Sequence, residues 1–168
     1  MADLVTEAAW RDAAAEELRQ LIDDMLHTEK AHLTTAARLQ KVHRPLGGLA
    51  ALLAAAGGAT VLADLSALLA GFLALGAALA SGVLTFLKPD QLAEQHLGAG
   101  RQLGALRVRA RQTLHLDVAR LSTDELRTAI AGIAEDKAKI DSAAPGTNDK
   151  DYAVGRQKIL NGTYDRDR

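Results

Sequence analysis

Residues 46–87, LGGLAALLAAAGGATVLADLSALLAGFLALGAALASGVLTFL, decide the fold, because 42 positions hold a single charge, Asp64. Leu46–Ala63 is an uncharged run of 18 residues and Leu65–Leu87 an uncharged run of 23. A helix crossing the hydrocarbon core needs about 20 apolar residues, within a range of about 17–25, so both runs are long enough. Asp64 falls where a hairpin has to turn. There a carboxylate costs little, whereas at a bilayer centre it costs about 2.5–3.5 kcal/mol; from the turn it is also placed to cap the second helix. The first run is mostly Ala and Gly, with Leu46, Leu49, Leu52, Leu53, Val61 and Leu62 as its larger members. The second is richer in Leu and adds Phe72, Phe86 and Val83. Gly57-Gly58 is a place where the first helix can stop early. In that case the helix starts before Leu46, with Lys41, His43 and Arg44 at the interface.

The flanks are a different material. Residues 1–45 hold six Lys/Arg and eight Asp/Glu, and residues 88–168 hold fourteen and twelve. The mean hydropathy of -0.02 averages these with the apolar stretch. The expected architecture is therefore all-α: an N-terminal cytoplasmic helix over 1–45, a transmembrane helical hairpin over 46–87 and a C-terminal bundle of cytoplasmic helices over 88–168. Lys41 and Arg44 precede the hairpin and Lys88 and Arg101 follow it, while the turn carries only an acid. The positive-inside rule then puts both termini in the cytoplasm.

Small residues recur at helical spacing within the two spans. Gly47, Ala51 and Ala55 lie on one ridge, and Ala70, Ala74, Ala78 and Gly82 on another. Such ridges let helices approach closely in lipid, so helix packing and self-association into a homo-oligomer are expected there. Ser81 and Thr85, one turn apart, are the pore-lining candidates. Against that, each hydroxyl in a span can simply bond a carbonyl of its own helix.

In residues 1–44 no Gly or Pro interrupts a helical pattern set by Trp10, Leu18, Leu21, Ile22, Met25, Leu26 and Leu33. Pro89 ends the second span, and Asp90 is placed to cap a helix over about 91–116 with Leu92, Leu103, Leu106 and Leu114 on its apolar side. Arg101, Arg107, Arg109 and Arg111 on that helix are candidates for contact with lipid headgroups or a phosphate. Ser122-Thr123-Asp124-Glu125 reads as a capping box opening a helix to about Ser142. A loop follows at 144–148, then a last helix over about 150–160 with Gly162 as its stop. The tail 165–168 reads as frayed.

Function classes narrow accordingly. With 20 basic and 21 acidic residues, no basic surface for specific nucleic acid is expected. The chain has no cysteine, which excludes disulfides, thiol catalysis and thiolate metal sites. The charges throughout 1–45 do not fit a secretory signal. The five histidines show no metal-ligand spacing, and no nucleophile or phosphate-loop motif is present. No enzyme activity and no cofactor are expected. His96 reads as an interhelical hydrogen bonder.

Phe86-Leu87-Lys88-Pro89 is followed by Ala93, His96, Ala99-Gly100, Leu106, Arg107 and Arg109. Further on come Pro145, Tyr152, Arg156, Ile159, Gly162 and Tyr164. Over about residues 20–165 this pattern resembles the SLATT family, the SMODS- and SLOG-associating two-transmembrane effector proteins of bacteria. The resemblance implies an inner-membrane effector of a conflict or antiphage system, with membrane lipid as one partner and a nucleotide-signal component as another. It implies pore formation or membrane disruption and carries over no catalytic or ligand residue. The competing readings are a membrane-anchored adaptor or structural protein and a soluble helical bundle that hides the apolar stretch by self-association.

Overall fold

The computed structural model describes residues 2–164, with side chains from residue 7; the tail 165–168 lies outside the described residues. Five α-helices account for almost all of it: α1 (Ala2–Leu62), α2 (Ala67–Leu87), α3 (Pro89–Gln112), α4 (Thr123–Ala143) and α5 (Asp149–Leu160). A π-helical turn, Thr113–Asp117, continues α3. No strand occurs among the described residues.

The N-terminal helix and the first apolar run are one element. α1 is 61 residues long and passes through Pro45 and Gly57-Gly58 without a break. Pro45 lacks the N–H that would reach the Lys41 carbonyl, a local loss a long helix absorbs. A helical Gly costs about 1 kcal/mol relative to Ala, too little to stop α1 at Gly57. α1 ends five residues further on, at Leu62, in a Schellman motif. The Leu65 N–H donates to the Thr60 carbonyl (3.0 Å) and the Asp64 N–H to the Val61 carbonyl (3.2 Å). Asp64 takes the left-handed conformation at φ 53°, the place usually held by Gly. The cap expected of Asp64 belongs instead to Ser66, whose hydroxyl accepts from the Leu69 N–H at 3.5 Å.

A single residue, Lys88, joins α2 to α3. Its φ is 41°, its N–H donates to Leu84, and its carbonyl accepts the first bond of α3 from the Leu92 N–H. Pro89 then fits the first helical position, where its missing donor is no loss. Asp90 therefore lies inside the first turn rather than capping it, and there its charge complements the helix dipole.

The chain divides into two compact units. One joins residues 1–35 to 95–168; the other is 36–94. The N-terminal helical segment thus shares its unit with the C-terminal helices. In that first unit Leu18, Ile22 and Met25 of α1 pack with Leu103, Leu106 and Ala110 of α3 and Ile133 of α4. Ser122 opens α4 through a full capping box. α5 begins at Asn148, whose side chain accepts from the Asp151 N–H at 2.8 Å, and ends in a second Schellman motif at Gly162, φ 73°.

Candidate functional site: an apolar helix pair and a buried polar core

In the unit formed by residues 36–94, the end of α1 lies along α2. A Cβ built on Gly57 would sit 3.4 Å from Leu73, one on Gly76 3.2 Å from Leu53, and one on Gly47 3.7 Å from Leu84. As one number rises the partner's falls, so the two helices run antiparallel. Ala50, Gly57, Ala77 and Ala80 are the buried positions of this contact.

The outward side chains are large and apolar. Leu62 is 91% exposed, Phe86 87% and Leu68 72%, and Leu52, Val61, Phe72, Leu75 and Leu79 are exposed with them. Of the most apolar 18-residue windows in the two halves, only 17% and 11% of positions are buried. By length and composition two helices are therefore able to cross a membrane.

The small-residue ridges read from the sequence sit differently from the contact. Gly47 and Ala70 border it, and the Ala74 backbone nitrogen lies 3.7 Å from a Cβ built on Gly57. Ala51, Ala55, Ala74, Ala78 and Gly82, however, are exposed. The reason is angular: each four-residue step advances about 40° beyond a full turn, so a strict four-residue ridge drifts off any one face. The observed contact alternates steps of three and four. Ser81 and Thr85 are exposed too, and the Thr85 hydroxyl donates to the Ser81 carbonyl at 2.9 Å.

The four arginines do not gather into one patch. Arg101 is exposed. Arg107 is buried and its Nε donates to Glu29 Oε2 at 3.0 Å, which corrects the expectation that it reaches a headgroup. Arg109 pairs with Asp136 at 2.9 Å. Arg111 is half-buried beside Arg19, Ile22 and Leu114. Steps of six, two and two residues put Arg107 and Arg111 on one side of α3 and Arg101 and Arg109 well away from them.

Arg107 belongs instead to a polar core in the first unit, of which the sequence anticipates only His96, as an interhelical hydrogen bonder. Glu29 also accepts from Lys30 Nζ at 2.7 Å. Thr35 donates to Asp151 Oδ2 at 3.0 Å, and Asn148 donates to the same oxygen at 2.9 Å. His32 Nδ1 and His96 Nδ1 lie 2.8 Å apart. Lys30 Nζ stands 4.1 Å over the Tyr164 ring. Buried polar groups of this kind persist only when bonded to one another. The spacing of Glu29, His32 and Thr35 along one helix face was the available signal; which residues of α3 and α5 answer them depends on tertiary packing.

On the same unit an open cleft of about 720 Å³ is lined by Glu16, Arg19, Asp23, Asp24, His27, Tyr152 and Arg156 among others. Its charges largely satisfy one another or nearby groups: Arg19 with Glu16 at 3.0 Å, and Asp24 with Lys137 at 2.7 Å.

No family model, curated protein or solved structure matches the chain.

Proposed function

We propose that the chain is a two-span inner-membrane effector of the SLATT type, with residues 46–87 as a transmembrane hairpin and the charged helices on the cytoplasmic side. The observation that carries this reading is the exposure of Leu, Val and Phe side chains along the end of α1 and the length of α2. Monomeric proteins in water rarely expose so continuous a run of large apolar side chains. In lipid it costs nothing, and helical backbone is the form that satisfies its own polar groups there. The 21 residues of α2 span about 31 Å at 1.5 Å per residue, against about 30 Å of hydrocarbon.

Charge supports the orientation. Lys41, Arg44 and Lys88 flank one end of the pair and Asp64 the other, the pattern of termini retained inside. The proposed action is assembly of several hairpins into a leak, triggered by a change in the cytoplasmic helices, with Ser81 and Thr85 as lining groups. A nucleotide-signal component as partner rests on the family resemblance alone.

The test is expression of the full chain in bacteria, followed by carbonate extraction of membranes and a potential-sensitive dye in whole cells. Retention in the membrane with depolarisation is expected. Retention without depolarisation leaves a membrane-anchored adaptor. Purification without detergent overturns the spanning hairpin.

A further inference from the structure

We propose that His32 and His96 form a proton-operated latch: the pair holds α1 against α3 while it carries at most one extra proton, and lets them part when a second arrives. Both rings lie in the unit built from residues 1–35 and 95–168. His32 is 4% exposed and His96 1%. Their Nδ1 atoms are 2.8 Å apart and the ring centroids 5.0 Å.

That distance imposes a proton rule. An imidazole nitrogen either donates or accepts, so at 2.8 Å one Nδ1 carries the hydrogen and the other offers its lone pair. Two neutral rings of opposite tautomer meet this condition, and so does one imidazolium with one imidazole. Two imidazolium rings do not, because both Nδ1 atoms then carry hydrogens pointed at each other and both rings are positive. The bond between α1 and α3 is therefore lost at the second proton.

The surroundings set where this happens. Burial, then the charge of His96, holds His32 below the ordinary value of 6.5, while Asp141 of α4 acts more weakly in the opposite sense. The other charges buried in this unit are engaged: Glu29 and Lys30 of α1 with each other, Arg107 of α3 with Glu29, and Asp151 of α5 with Thr35 and Asn148. Counter-charge favours the first proton but leaves the collision of two Nδ1–H groups unchanged. In the opened or unfolded chain each ring binds a proton near 6.5. That state therefore takes up more protons than the closed one as the pH falls, and the closed bundle is most stable above 6.5 and loses stability below it. The inference does not rest on the membrane reading, since the pair is internal to the charged helices.

The experiment uses the full chain, in detergent if it needs it, with ¹⁵N-labelled histidine. Ring nitrogens are followed from pH 8 to 5, alongside amide exchange of residues 29–35 corrected for its intrinsic pH dependence. The two rings should show opposite tautomers at high pH and titrate as a coupled pair, with one below 6.5. Opening of α1 should then rise roughly tenfold per pH unit where the open state holds one more proton. His96→Asn, which retains a hydrogen-bonding side chain without titrating, should narrow the pH range over which that slope holds, because burial still disfavours a charged His32 while the second ring's charge and its Nδ1–H are gone. His32→Gln should narrow it likewise. Independent titration of both rings at or above 6.5 in the unsubstituted chain overturns the latch, whether or not either variant folds. So does an opening rate that ignores pH, or a folded variant whose slope covers the same pH range as that of the unsubstituted chain.

Discussion

Asp64 is a charged residue in a backbone conformation that ordinarily belongs to glycine. Its N–H bonds the Val61 carbonyl and its φ is 53°. Asp tolerates this region better than other side chains because it is short and polar, but a Cβ is still present. Asp64→Gly should stabilise the turn by up to about 1 kcal/mol, and Asp64→Val should destabilise it by about 1–2 kcal/mol; thermal unfolding of the purified chain reads both. Gly155 shows the opposite economy. A Cβ there would lie 3.1 Å from the Ala31 nitrogen and the Lys30 carbonyl carbon, backbone atoms that cannot swing away. Gly155→Ala should push α5 off α1 at a cost of about 1–3 kcal/mol, read as faster amide exchange in residues 149–160.

Among the elements, α4 and α5 were the most legible in the sequence, because their ends are set by local chemistry. Ser122 and Glu125 fix the start of α4 within four residues, and Gly162 marks the end of α5. The reverse holds for α1: Gly57-Gly58 offers a stop that the helix does not take, because a cost of about 1 kcal/mol per helical Gly is too small to end it. The pairings of the polar core were not legible, since Glu29, His32 and Thr35 acquire partners 64–116 positions away, although His96 was readable as an interhelical hydrogen bonder. The local rule makes a pH prediction. Ser122 donates to the Glu125 carboxylate from its hydroxyl at 2.7 Å and its N–H at 2.9 Å, and these bonds, the hydroxyl's first, hold Glu125 below 4.5. A depressed carboxyl contributes stability that is present above 4.5 and is lost as the pH falls through its folded value. Ser122→Ala should cost about 1 kcal/mol at neutral pH. The gap from the unsubstituted chain should narrow below pH 4.5 without closing, because the hydroxyl still accepts from the Glu125 N–H.

At the scale of the whole molecule, the apolar helix pair has an inner face and an outer one, and substitutions can separate what each does. Gly76 faces Leu53 and Gly57 faces Leu73, so Gly76→Leu and Gly57→Leu force side chains into occupied space. Both should loosen the pair itself, lowering its thermal midpoint in detergent and opening it to protease. Ala78 is on the outer face, and so is Gly82, where a Cβ would meet nothing within 4 Å. Ala78→Leu should leave the single chain as stable as before and its carbonate resistance unchanged. If hairpins associate through that face, however, close approach is lost where small residues allowed it, and crosslinked oligomers and depolarisation should both fall. A loss of depolarisation with Gly76→Leu alone would place the active contact inside one chain. A loss with Ala78→Leu in a fully inserted, stable protein would place it between chains, which is what a leak built from several hairpins demands.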